Sequence, residues 1–361
     1  MFERRLHFHL DWAMLIALIA LCLVGLANIY SATGGPTTVY VTQIYGIGLG
    51  LVAMIICLAI DYRTLADKSH FVYGGVVLLL VYVLFLGVVR GGSRRWIDLG
   101  PLNLQPSEFA KAAVALVLAK YFGESRRGTV VPSDLIVAGA IVFVPFLVIY
   151  QQPDLGTAAT LLPILFIVAF AAGMPMRVFG ILAMVGLLAA PIAWKFALKD
   201  YQKERVSTFL DPEADARGAG YQQLQARITT GSGGPWGKGF RQGTQGQLRF
   251  LPVAHNDFIF SAFAEEYGFA GVFTALGLYL FVILRAIEAA KLAKDRLGAY
   301  LVLGVLASFT FQVLYNITMS AGLAPVKGLT LPLMSYGGSS MIATLAGFGL
   351  ILNVRMRRFT N

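Results

Sequence analysis

Charge is scarce in this sequence. Asp, Glu, Lys and Arg make up 13% of the 361 residues, against 57% hydrophobic residues. A water-soluble domain carries about 25% charged residues, so a soluble globule of this length is excluded. Cysteine is nearly absent: Cys22 and Cys57 both fall inside apolar runs with no CxxC spacing, which excludes a disulfide scaffold or a thiol redox motif. Only 4 histidines occur, and no carboxylates, histidines or cysteines recur at metal-ligand spacing. The sequence therefore requires no cofactor, although a divalent cation can accompany a phosphate-bearing substrate. Acidic residues are outnumbered 19 to 29. The basic excess sits in short loops between apolar runs, as membrane topology demands, so nucleic-acid binding is excluded as well.

What the sequence does have is length in its apolar runs. Runs of about 17–25 residues read as membrane-spanning helices, and they fall at 11–31, 40–60, 71–90, 105–122, 133–151, 156–173, 176–197, 262–285, 299–319 and 333–354. The expected fold is an all-α polytopic membrane bundle of about ten transmembrane helices, one domain over 1–361. The basic start, Met1 to His9, leads into a run too long for a signal-peptide core, so it reads as a retained first helix. Basic residues crowd one set of short loops, among them Arg63, Lys68, Arg126, Arg127, Lys291 and Arg355, while the opposite set holds Arg90, Arg94, Arg95 and Lys327. Both termini are thus expected in the cytoplasm, with 198–260 as a large extracytoplasmic loop between helices 7 and 8.

Arg90, Arg94 and Arg95 lie against the topological bias, immediately before Trp96. An anionic ligand and an interfacial anchor on lipid phosphates explain them equally well. Glu108 and Lys111 are three residues apart inside a span. Such residues are functional candidates by default, and an ion pair that fixes helix packing explains them equally well. Asp154 stands between two spans, where it can cap a helix. In the large loop, Gly231-Ser-Gly-Gly-Pro-Trp-Gly-Lys-Gly239 offers Lys238 to a phosphate, or serves as a flexible connector; it lacks the Gly-Lys-Ser/Thr ending of a P-loop. Asp257 precedes the eighth span at an apolar edge, where desolvation strengthens a carboxylate as a proton acceptor. Asn256 or Asp257 can equally be a helix N-cap.

Taken together, several motifs in order along almost the whole chain resemble the SEDS family (shape, elongation, division and sporulation). They are Arg95-Trp96-Ile97, Gln105-Pro-Ser-Glu108 with Lys111, Gln152-Pro-Asp-Leu-Gly156, Gly220-Tyr-Gln222 with Gln225, Gly237-Lys-Gly239, Asp257-Phe-Ile-Phe260 with Glu265-Glu266, and Gly322-Leu-Ala-Pro325 through Ser335-Tyr-Gly337-Gly338-Ser-Ser340. The rod-shape-determining branch is the better match and the division branch the second. Val253 and Asn256 depart from the family's usual Glu and Thr. The resemblance implies a peptidoglycan glycosyltransferase in the bacterial inner membrane, with lipid II as substrate and a class B penicillin-binding protein as partner. It also implies Asp257 as the catalytic carboxylate, with Arg94, Arg95, Trp96, Glu108, Lys111, Arg205 and Lys238 about the substrate. Gln105, Asp154, Gln222, Gln225, Ser335, Gly337 and Gly338 belong to the surrounding motifs. A lipid II transporter and a non-catalytic scaffold for the penicillin-binding protein are the competing readings.

Overall fold

The computed structural model describes residues 10–90, 93–100, 103–125, 130–215, 218–247, 250–251 and 255–359. Helices α1 (Trp12–Ala32), α2 (Thr38–Ala59), α3 (Tyr62–Asp67) and α4 (Ser69–Leu86) are followed by three short antiparallel strands. These are β1 (Val88–Arg90), β2 (Ser93–Asp98) and β3 (Asn103–Leu104), paired in that order. Then come α5 (Pro106–Gly123), α6 (Pro132–Gln151), α7 (Leu155–Ala159), α8 (Leu161–Ala171) and α9 (Met176–Ile192), which runs on as a π-turn to Ala197. The remainder is α10 (Asp200–Leu210), α11 (Ala219–Ser232), α12 (Thr244–Gln247), α13 (Ile259–Lys291), α14 (Arg296–Ser320) and α15 (Gly338–Met356).

Among the described residues, 8 helices are long and apolar enough to cross a membrane: α1, α2, α4, α6, α9, α13, α14 and α15. The other two expected spans are shorter or more polar. α5 carries Glu108, Lys111 and Lys120, and the run at 156–173 is broken at Thr160 into α7 and α8. The third run stops at Leu86 instead of 90, because β1 takes its last residues. Among the described residues, segment 198–260, expected as a loop, holds α10, α11 and α12, a 3-10 turn at Pro212–Ala214 and the first residues of α13. Arg126, Arg127, Val253 and the side chain of Arg90 lie outside the described residues.

Lipid tails are as apolar as leucine, so helices associate in a bilayer through close packing of small residues. α15 meets α2 in this way. A Cβ on Gly46 would stand 3.0 Å from the Gly338 Cα, and one on Gly349 would stand 2.7 Å from the Met54 carbonyl oxygen. α14 and α15 form the interior of the bundle. α9 buries no residue, and meets α8 near its start, where Phe179 packs on Phe166 and Phe170. At the end of the bundle where α1 begins, the buried Asp11 carboxylate pairs with Arg285 and Arg355 at 2.7 Å each.

α13 is kinked at Gly268, whose φ is 62°. A kink frees backbone groups that must find other partners. The glycine-rich segment supplies them: the Gly234 and Pro235 carbonyls accept from Phe269 N–H and Ala270 N–H at 2.8 and 3.0 Å, while Lys238 and Gly239 N–H donate to the Glu265 and Glu266 carbonyls at 3.0 and 2.9 Å. Gly237, at φ 81°, lies so close that a Cβ there would meet the Glu266 carbonyl oxygen at 2.2 Å. Gly237→Ala is therefore expected to cost about 1–3 kcal/mol in backbone strain alone. Thermal unfolding in detergent checks this, and an unchanged midpoint would show that the docked segment contributes nothing to stability.

Candidate active site

A cavity of about 910 Å³ opens where α5, α7, α13 and α15 begin. Its wall is assembled from segments far apart in the chain. The sheet contributes Ser93, Arg95, Trp96 and Asn103, and the start of α5 contributes Gln105 and Glu108. Pro153 and Asp154 precede α7, Gln202 and Arg205 come from α10, and Asn256 and Asp257 precede α13. Residues 325, 327–330 and 336–340 close the ring before and into α15.

Among the described residues, Asp257 is neither a helix cap nor part of an ion pair. Phe258 holds the N-cap position of α13 and no side chain caps it. The Asp257 Oδ1 atom is sealed from solvent with no hydrogen-bond partner. Burial pushes its carboxyl up to about 6; Arg205 and Arg95 oppose that rise, and Asp154 adds to it. Its main chain is held by Asn316, which is fully buried and donates from Nδ2 to the Asp257 carbonyl at 2.9 Å and to the Leu329 carbonyl at 2.7 Å.

β2 explains why the two adjacent arginines differ. Alternation along the strand puts Ser93 and Arg95 on the cavity side and Arg94 on the other, although Trp96 also lines the cavity and departs from that alternation. Arg95 turns into the cavity, while Arg94 lies outside it and donates to the Phe85 carbonyl at 3.0 Å. Arg95 binds the turn before α7: it donates to the Gln152 carbonyl at 3.0 Å and to that of Pro153, and lies 3.7 Å from Asp154. Asp154 does cap α7, accepting from Thr157 N–H at 3.1 Å, and its other oxygen accepts from Gln105 Nε2 at 3.1 Å.

The remaining expected site residues fall on both sides of the boundary. Glu108 lines the cavity floor and accepts from Lys111 at 2.7 Å. Lys111 itself sits one step deeper, in a chamber of about 30 Å³ with Ser308 and Gln312, and donates to Gln312 Oε1 at 2.9 Å. Lys238 is outside the cavity lining. It is bound at 2.6 Å to the buried Glu265, whose same oxygen also accepts from Thr244 N–H at 3.0 Å and Gln245 N–H at 3.1 Å. The expected phosphate ligand is thus a clasp for the outer segment. Gln222 and Gln225, on α11, also lie outside the lining.

Gly337 and Gly338 line the cavity. Buried Gln43 on α2 fixes this segment, donating to the Ser335 carbonyl at 3.2 Å and accepting from Gly337 N–H at 3.1 Å. Ser335 is buried behind it and accepts from Leu331 N–H at 2.8 Å. Gln43, Asn316 and Lys327 belong to the site although no motif in the sequence marks them. For Gln43 and Asn316 one signal was present, a polar side chain inside an apolar run.

Fold and site together define a polytopic membrane protein with, at one end of its bundle, a cavity lined by cations and by one carboxylate, Asp257, that has an unpartnered oxygen. The chain belongs to the FtsW/RodA/SpoVE cell cycle protein family, whose model matches residues 4–359. It is 39% identical over 352 residues to the peptidoglycan glycosyltransferase MrdB of Escherichia coli (strain K12), covering 97% of this chain and 94% of that one. It is 30% identical to the peptidoglycan glycosyltransferase RodA of Treponema pallidum (strain Nichols), over 96% and 98% of the two chains. Among solved structures, a chain from a peptidoglycan synthase complex that coordinates polymerization and crosslinking superposes with a TM-score of 0.85. That chain is 35% identical, with 98% of this chain and 99% of that one covered. The SEDS resemblance read from the motifs is thereby shown.

Proposed function

We propose that this protein is a peptidoglycan glycosyltransferase that polymerises lipid II at the outer face of the bacterial inner membrane. The observation that carries this reading is the unpartnered Asp257 oxygen inside a cavity lined by Arg95, Arg205 and Lys327. The basic residues of the opposite loops orient the cavity outward. A donor sugar linked α to a diphosphate and a β-linked product require inversion, hence one displacement. Asp257 takes the proton from the acceptor 4-hydroxyl as its oxygen bonds to the donor C1. The C1–O bond to phosphate breaks, and its electron pair leaves on the lipid diphosphate. The proton on Asp257 then passes to solvent. Cations held in a partly dry cavity favour the departing charge, and Trp96 offers a face for a sugar ring. Among the described residues no three histidines, cysteines or carboxylates gather as a metal site, so a divalent ion here would rest chiefly on the substrate's phosphates.

The partner we assign is a class B penicillin-binding protein, a transpeptidase that cross-links the emerging strand. Purified protein with that partner, given labelled lipid II in detergent, is expected to make glycan polymer. With no second compartment present, a transporter or a scaffold makes none, and absence of polymer would sink this reading.

The acidity of Asp257 sets a pH dependence with a definite sign. Its carboxylate form is the active one, and its value lies up at about 6. The kcat/KM for polymerisation is therefore expected to be level above neutrality and to fall tenfold per pH unit below about 6. A profile without an acidic limb between pH 5 and 7 would exclude Asp257 as the titrating base.

A further inference from the structure

The cavity's cations are not equivalent. Arg95 is engaged by the turn before α7 through two carbonyls and Asp154. Among the described residues, the side chains of Arg205 and Lys327 make no hydrogen bond and no ion pair. The Lys327 ammonium lies 5.5 Å from the centroid of the Tyr315 ring, a contact that holds a cation without neutralising it. Lys327 is half-buried, and a desolvated ammonium with no acid beside it is costly. Burial and the nearby Arg205 hold its proton affinity below the ordinary lysine range. Such a group is stable only where something else fixes it.

The backbone supplies that fixation. Lys327 adjoins Gly328, and the Asp257 Oδ2 atom sits 3.7 Å from where a Gly328 Cβ would stand. Asn316 ties the Asp257 carbonyl to that of Leu329, two residues beyond Lys327. From the other side α7 presses in: a Cβ on Gly156 would stand 2.9 Å from the Lys327 carbonyl oxygen. The main chain at Lys327 is thus locked in register with Asp257, while the ammonium is left without an anion. Arg205 reaches the same cavity from α10, with its charge felt by both Asp257 and Lys327.

We propose that Lys327 and Arg205 form the leaving-group subsite, binding the diphosphate of the donor lipid beside Asp257, with Asn316 as the positioning residue that sets their spacing. This rests on the glycosyltransferase reading and assigns the donor end of the cavity. In the displacement the lipid diphosphate departs with one more negative charge than it carried as an ester. The cations that matter are those whose charge is unspent before substrate arrives. Arg95 meets that condition poorly, since turning to phosphate would release the turn before α7.

The test uses full-length protein in detergent, with farnesyl diphosphate as the binding probe and labelled lipid II plus the partner for turnover. Lys327→Gln and Arg205→Gln are each expected to weaken farnesyl diphosphate binding about tenfold. Each should also lower kcat for polymerisation by roughly 10²-fold, as expected for loss of a preorganised charge at a developing anion. Lys327→Arg should recover most of both, and Lys203→Gln, on α10 but outside the cavity lining, should change neither. Binding is also to be measured in Asp257→Asn, where it should persist. Should Lys327→Gln bind the probe as the wild type does, the subsite is refuted even if the wild type polymerises lipid II. Should the wild type make no polymer, the glycosyltransferase reading falls, while probe binding still reports on the two cations. A Lys327→Gln defect that tracks a lowered melting temperature, and that Lys327→Arg leaves unrepaired, would assign Lys327 a structural role and overturn the proposal.

Discussion

Replacing Asp257 by Asn is expected to lower lipid II polymerisation by about 10²–10⁴-fold while leaving the fold intact, the range for losing a positioned general base. Asn keeps the size and polarity of the side chain but has no basic oxygen at neutral pH. Structural damage should be slight, because the Asp257 carboxylate makes no hydrogen bond that Asn would break on its Oδ1 side. The main chain there is held by Asn316 regardless of what the side chain does. The thermal midpoint of Asp257→Asn should therefore stay near wild type, or rise slightly, since a partly desolvated charge with no hydrogen bond at its Oδ1 atom has been removed. Activity and stability should part company. Polymer yield within threefold of wild type would rule out the base assignment, and a collapsed melting curve would show that the carboxylate had been structural.

The second large effect concerns stability. Glu108 and Lys111 are both buried and joined at 2.7 Å. Breaking a buried pair by removing one partner leaves the other charge uncompensated and typically costs about 3–5 kcal/mol, whereas replacing both is far milder. Lys111→Met is expected to be the harsher single change, because Glu108 then faces Ser308 and Gln312 without a cation. Lys111→Met combined with Glu108→Gln should restore much of the loss. Unfolding midpoints of the two single variants and the double variant form a cycle that isolates the pair. Strict additivity would mean the two charges are solvated separately and that the pair does not stabilise the bundle.

The apolar runs made most of the helices legible, since lipid leaves few options for a segment of that length. The pair at Glu108 and Lys111 was equally readable, because residues three apart on a helix share a face. Asp257 could be singled out because it stood at an apolar boundary, although base and N-cap remained open until Phe258 was seen in the cap position. Local rules failed where the partner was distant in sequence. Arg94 and Arg95 looked alike until the pairing of β2 with β1 turned them to opposite sides. Lys238 has the chemistry of a phosphate ligand, and only the kink at Gly268 brings Glu265 beneath it. Lys327 registered merely as a charge on the unfavoured side of the membrane, since its closeness to Asp257 depends on a crosslink from α14.

α9 buries none of its residues, so the bundle holds it only lightly. An apolar helix in that position takes its tilt from the match between its own length and the thickness of the surrounding hydrocarbon. Its continuation, α10, carries Arg205 into the cavity. A change of lipid chain length is therefore expected to shift α9 and, through it, the start of α10, so polymerisation rates should differ between bilayers of short-chain and long-chain lipids.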